Sequence, residues 1–139
     1  MKKFFLILSA AFITASAFAK IPAKVTDAFQ AKYTTATNVE WKHGIGNYKA
    51  YFNMGEYKFL VKFDRKDKWL ESEKMLKKDR LPATVKNNFR KSKYSQWEIK
   101  SSYIEYLPNE KPFYRVLTIK GDFKRKSLIF DDQGQLING

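Results

Sequence analysis

The chain contains no cysteine and a single histidine, His43, and it carries only six glycines and four prolines in 139 residues. Without cysteine there is no disulfide staple, no thiol nucleophile, no thiolate metal site and no lipid-bearing N-terminal cysteine. One histidine leaves almost nothing for imidazole catalysis. Long apolar runs are equally scarce: only one is present, at the N-terminus, and it falls short of the roughly 20 residues a membrane span requires. Acidic charge is in the minority, with 14 Asp and Glu against 27 Lys and Arg, a formal charge of +13. These absences favour a binding or structural module over an enzyme, and no catalytic residue, metal ligand or cofactor site is assigned.

What is present is enough to fold. The chain is 44% hydrophobic, 17% aromatic and 29% charged, which describes neither a disordered segment nor a multi-span membrane protein. Its length sets a prior of one domain, or two very small ones.

The N-terminus reads as an export signal. Met1-Lys2-Lys3 is a short positive start, Phe4 to Ala15 is apolar apart from Ser9 and Thr14, and Ala17-Phe18-Ala19 fits a cleavage site before Lys20. A signal peptide over residues 1–19 is therefore expected, with a retained anchor as the less favoured alternative. No transmembrane segment is expected after cleavage, and the product is placed in the periplasm or outside the cell. Loss of Lys2 and Lys3 would take the formal charge from +13 to +11.

The remainder repeats itself. Ile21-Pro22-Ala23-Lys24-Val25 matches Leu81-Pro82-Ala83-Thr84-Val85, and Phe29 matches Phe89, at an offset of 60. Phe63-Asp64 matches Phe130-Asp131 at an offset of 67, and Asp67 then falls on Gly134. Two matched blocks in the same order point to duplication. The expected division is residues 20–79 and 80–139 as two copies within one compact unit. The extra residues of the second copy are expected in a long hairpin around Leu107 to Pro112.

Each copy opens on a helix. Proline suits a first helical position, where its missing N–H costs nothing. Ile21, Val25, Ala28 and Phe29 fall on one side at helical spacing, as do Leu81, Val85 and Phe89. The period then drops to two. Tyr48, Ala50 and Phe52 alternate with Lys49, Tyr51 and Asn53, and Tyr57, Phe59, Val61 and Phe63 with Lys58, Leu60 and Lys62. Further strands are expected near Val39–Lys42, Trp69–Glu73, Trp97–Tyr106, Phe113–Lys120, Phe123–Phe130 and Gln135–Ile137. The fold class is thus α+β, a tandem repeat of a helix followed by about four antiparallel strands.

The Ile/Leu-Pro-Ala helix, the strand ending in Phe-Asp, its turn, and the Trp69-Leu70 or Leu136-Ile137 pair resemble the PepSY-like family of periplasmic proteins, also called β-lactamase-inhibitor-like. The resemblance covers most of residues 21–138. It implies a curved antiparallel sheet backed by helices, export by bacteria, and binding of proteins on the sheet. The founding inhibitor is disulfide-bonded and this chain has no cysteine, so inhibition of β-lactamase is not carried over.

Several candidate sites resolve into ordinary structure. His43 lacks the second and third ligands a zinc site needs, and reads as a surface histidine. Asp64, Asp67, Asp131 and Asp132 fall in turns that favour aspartate, and neither copy has the alternating oxygen ligands of a calcium loop. The basic runs at residues 74–80, 90–93 and 124–126 suggest polyanion attraction. The excess charge is nevertheless +5 over residues 20–79 and +6 over 80–139, spread over both copies, so nucleic acid is not expected as a partner.

The remaining candidate is a sheet face. Tyr51 and Leu60 fall on the lysine-bearing side of their strands and, with Lys49, Lys58 and Lys62, make a mixed aromatic and cationic surface suited to binding. A lysine-guarded open face that deters association has the same composition. The expected function is an exported, monomeric, non-enzymatic module that contacts a protein or cell-envelope component through this face. The alternative is a binder of polyanions, such as lipopolysaccharide, polysaccharide or an anionic lipid surface.

Overall fold

The computed structural model describes residues 20–139, so the expected signal peptide at residues 1–19 lies outside the described residues. Helix α1 (Ala23–Lys32) is followed by strands β1 (Thr37–His43), β2 (Asn47–Met54), β3 (Tyr57–Asp64) and β4 (Trp69–Leu76). A 3-10 turn over Lys78–Arg80 leads into helix α2 (Ala83–Lys91) and strands β5 (Glu98–Tyr106), β6 (Phe113–Lys120), β7 (Lys124–Phe130) and β8 (Leu136–Asn138). The order of helices and strands read from periodicity holds throughout, with ends displaced by a few residues. The loop between β5 and β6 spans residues 107–112, against 44–46 between β1 and β2.

Both helices start on a proline carbonyl. Pro22 and Pro82 sit one residue before the first helical residue rather than at it, each with φ of −58°. Pro22 O accepts from the Val25 and Thr26 amides at 3.0 and 3.2 Å, and Pro82 O accepts from Lys86 at 3.0 Å. The difference of one position is within the ordinary ambiguity of a helix start. At the far end of α2 Phe89 O accepts from both the Ser92 amide at 3.1 Å and the Ser92 hydroxyl at 2.7 Å, which closes the helix end.

The eight strands form one antiparallel sheet in chain order, β1 to β8. The two helix-plus-strand runs join edge to edge through β4 and β5, from Ser72 opposite Tyr106 to Leu76 opposite Ser102. Residues directly opposite in neighbouring strands share a face. Ala50, Val61 and Ser72 are so linked, and Leu76, Ser102, Val116 and Leu128 continue the same face across the second half. Helix α1 buries Val25 and Phe29 against Ala50, Phe52, Val61 and Phe63 on that face. Helix α2 buries Val85 and Phe89, with Leu81 and Tyr94, against Val116, Leu128 and Phe130. Both helices thus lie on one side, over two separate cores, and among the described residues no helix lies on the other side of the sheet.

Two turns explain their own aspartates. Asp64 Oδ1 accepts from the Lys66 and Lys68 amides at 2.8 and 2.9 Å, and Asp131 Oδ1 accepts from Gln133 and Gln135, both at 2.9 Å. The left-handed position of the turn is Asp67 (φ 73°) in the first and Gly134 (φ 84°) in the second. Gly134 is doubly constrained, because a Cβ there would meet Thr84 Oγ1 at 2.5 Å while its carbonyl accepts from Asn88 Nδ2 at 2.7 Å. The second turn is therefore docked on α2.

Candidate functional site

Strand alternation sends every second residue of β2 and β3 to the side without helices. Lys49 stands opposite Lys62, Tyr51 opposite Leu60, and Asn53 opposite Lys58. All five residues singled out from the sequence, Lys49, Tyr51, Lys58, Leu60 and Lys62, therefore share that face in adjacent positions. Tyr51 is 38% exposed, Lys58 is exposed, and Lys49, Leu60 and Lys62 are half-buried.

The neighbouring strands change the character of this surface. Lys42 on β1 pairs with Lys49, so Lys42, Lys49 and Lys62 form one row of like charge, which opposes pairing. The row ends on Glu71, whose Oε1 lies 3.3 Å from Lys62 Nζ. Lys42 Nζ also reaches Glu40 at 3.6 Å and stands 5.2 Å from the centre of the Tyr51 ring. The surface expected to be aromatic and cationic is thus also acidic.

One row further, Leu60 stands opposite Glu73, and Glu73 opposite Glu105. Arg115 on β6 donates from Nε to Glu105 Oε2 at 2.9 Å and from a terminal nitrogen to Glu73, while its guanidinium lies 4.5 Å from the centre of the Tyr103 ring. Glu105 is only 4% exposed even though it lies on the side away from both described helices. Burial, then the Glu73 carboxyl beside it, push its pKa up to about 8, against the opposing pull of Arg115. Periodicity alone did not reveal this group. Its sequence signal is that Glu73, Glu105 and Arg115 sit at alternate positions of strands whose outward side also carries Met75, Tyr103, Phe113 and Leu117.

The other candidates are dispersed. His43 closes β1, exposed, with its ring edge-on to Tyr48 at 5.2 Å. Asp64 and Asp131 are committed to their turns, and the two backbone amides hold the Asp64 carboxyl below its ordinary range. Among the described residues no three of His, Cys, Asp and Glu come together as a metal site, and no helix is long and apolar enough to cross a membrane.

The family described as "Putative beta-lactamase-inhibitor-like, PepSY-like" matches residues 46–138. The chain belongs to the PepSY-like family. The match begins after α1 and β1, whereas likeness to solved structures extends over most of the chain. A BLIP-like protein of Bacteroides fragilis is 26% identical with a TM-score of 0.80, over 88% of this chain and 87% of its own. A DUF2874 family protein of Bacteroides uniformis is 26% identical with a TM-score of 0.79, over 84% and 86%. A protein of Bacteroides eggerthii described as a "putative periplasmic" one shares the fold at 22% identity and a TM-score of 0.79, over 86% and 88%. No curated protein sequence matches the chain. This PepSY-like protein is therefore an α+β molecule of the BLIP-like fold, whose described residues place two helices on one side of an open eight-stranded antiparallel sheet.

Proposed function

We propose that this PepSY-like protein is an exported, non-enzymatic module, periplasmic or secreted, that contacts a protein or cell-envelope component through the helix-free face of its sheet. The observation that carries this reading is the composition of that face. Apolar Tyr51, Leu60, Met75 and Phe113 alternate with charges of both signs on adjacent strands, as in a protein-binding patch with a polar rim. Export is supported by the pattern at residues 1–19 and by the periplasmic description of the Bacteroides eggerthii relative. The inhibitor-like name of the family supports protein binding over catalysis. We read residues 20–79 and 80–139 as copies of one unit, on the strength of the repeated Pro-Ala helix start and the matching Asp64 and Asp131 turns.

The test is cross-linking in the native cell envelope with three baits. These are the wild type, a variant with Lys49, Tyr51, Lys58 and Lys62 replaced by Ala, and a variant altered only at exposed Asn87 and Arg90 of α2. A partner retained by the wild type and the α2 variant but lost from the sheet variant supports the reading. Equal capture by all three rejects it.

The alternative, a polyanion binder, draws on the formal charge, +13 for the chain and +11 without Lys2 and Lys3. Glu40, Glu71, Glu73 and Glu105 on the same face count against it there, so such binding would involve the surface as a whole. Tight retention on heparin that falls steeply with salt, and that the sheet variant weakens no more than the loss of three lysines from another face, is the result that would favour it.

A further inference from the structure

The two helices cover the two halves of the sheet and leave the β4–β5 junction between them. A cleft of about 370 Å³ opens there beside the last turn of α1, within the range of small-molecule sites. Its walls are the rings of Tyr33, Phe59, Trp69 and Tyr106, and Lys32 and Lys74 line it as well. Ser72, 2% exposed, lies among them. This side of the sheet is opposite the face that carries Glu71 and Glu73, so the cleft is independent of the surface proposed above.

The polar groups of the cleft are short of acceptors. Trp69 Nε1 donates to Ser72 Oγ at 2.8 Å, and the Ser72 and Tyr33 hydroxyls bond to each other. These two bonds use two of the three available protons, so one hydroxyl proton is left over. Lys32 Nζ lies 4.1 Å from the centre of the Trp69 ring, and Lys74 Nζ 3.9 Å from that of Tyr57. Among the described residues neither ammonium has a carboxylate within ion-pair distance, and no acidic residue lines the cleft. Burial raises the pKa of both Tyr33 and Tyr106, which keeps the phenols protonated as donors.

We infer that this cleft binds a small organic carboxylate with a flat apolar body. The aromatic walls offer stacking and edge contacts to such a body. The carboxylate supplies the acceptors that the spare hydroxyl proton and the two ammonium groups need, in charge-assisted hydrogen bonds. A cation is repelled by Lys32 and Lys74, and an inorganic anion leaves the aromatic walls unused.

The probe is 2-naphthoate, with the neutral 2-naphthylmethanol as its control, titrated into the full-length mature protein. The readout is the indole N–H resonance of Trp69, with that of Trp97 in the α2 core as internal reference. The expected result is a saturable shift of Trp69 alone, with the alcohol about tenfold weaker. In the Lys32→Gln, Lys74→Gln double variant, both at positions outside the two cores, naphthoate affinity should fall to that of the alcohol. Absence of a saturable shift at millimolar naphthoate, equal affinity for acid and alcohol, or unchanged affinity in the double variant overturns the inference.

Discussion

Glu73 and Glu105 stand directly opposite each other across β4 and β5, on the side of the sheet away from α1 and α2, with Arg115 bound to both. One arginine neutralises one carboxylate, and a second charge at the same register position is opposed by repulsion and by burial. The pair therefore holds a proton that an isolated glutamate would release.

Stability should fall as pH rises through this pair's range. The ordinary value for the group is 4.5 and the folded value about 8, so between them the folded chain binds more protons than the unfolded one. Urea midpoints at roughly pH 5 and pH 8 should show a decline, and Glu105→Gln, uncharged throughout, should remove most of it. A midpoint that rises over this interval, with no effect of the substitution, contradicts the assignment.

Asp64 acts with the opposite sign. Its carboxyl is held below the ordinary 3.8 by the Lys68 and Lys66 amides, so its contribution is present above that value and lost as pH falls further. The matching Asp131 makes the same two bonds. Asp131→Ala should cost about 2 kcal/mol, measurable by denaturant titration at neutral pH.

The glycines of two turns should respond differently. Gly55 has φ of 62° and open space around its Cβ position, so Gly55→Ala should cost only the left-handed backbone penalty, about 1 kcal/mol. Gly134 adds the collision with Thr84, so Gly134→Ala should cost more and should also disturb α2. Thermal melts of the two variants, with amide exchange in residues 83–91, distinguish these outcomes.

The two cores are each closed by a phenylalanine at a strand end. Phe63 is 2% exposed and Phe130 fully buried. Truncating either to Ala should cost about 3–5 kcal/mol by lost burial and cavity formation. Because one sheet carries both cores, we expect a single cooperative transition in each variant, read by coincident near- and far-ultraviolet circular dichroism.

Most of the secondary structure was legible because it is written in local periodicity. The change from helical spacing at Val25 and Phe29 to alternation at Ala50, Phe52, Val61 and Phe63 follows from which side each residue must bury. The Asp64 and Asp131 turns were equally legible, since a carboxylate holding two amides and a left-handed position three residues later are local devices. The shared face of Lys49, Tyr51, Lys58, Leu60 and Lys62 followed from the same alternation.

Other features depend on register between strands far apart in sequence. That Lys62 meets Glu71, that Glu73 meets Glu105, and that Arg115 reaches both are consequences of how β3 to β6 align. A shift of one residue would send these side chains to the other side. The cleft at Tyr33, Trp69 and Ser72 likewise exists only because the last turn of α1 lands beside the β4–β5 junction.

The missing cysteines and the single histidine already ruled out disulfides, thiol chemistry and most imidazole chemistry, and apolar spacing determined the order of helices and strands. Only the tertiary structure decided that one face mixes acids with the expected lysines and aromatics, and that a donor-rich cleft lies between the helices. The physical reason is range: burial periodicity acts between near neighbours, whereas charge pairing and cavity lining depend on strand register and helix docking across the whole sheet.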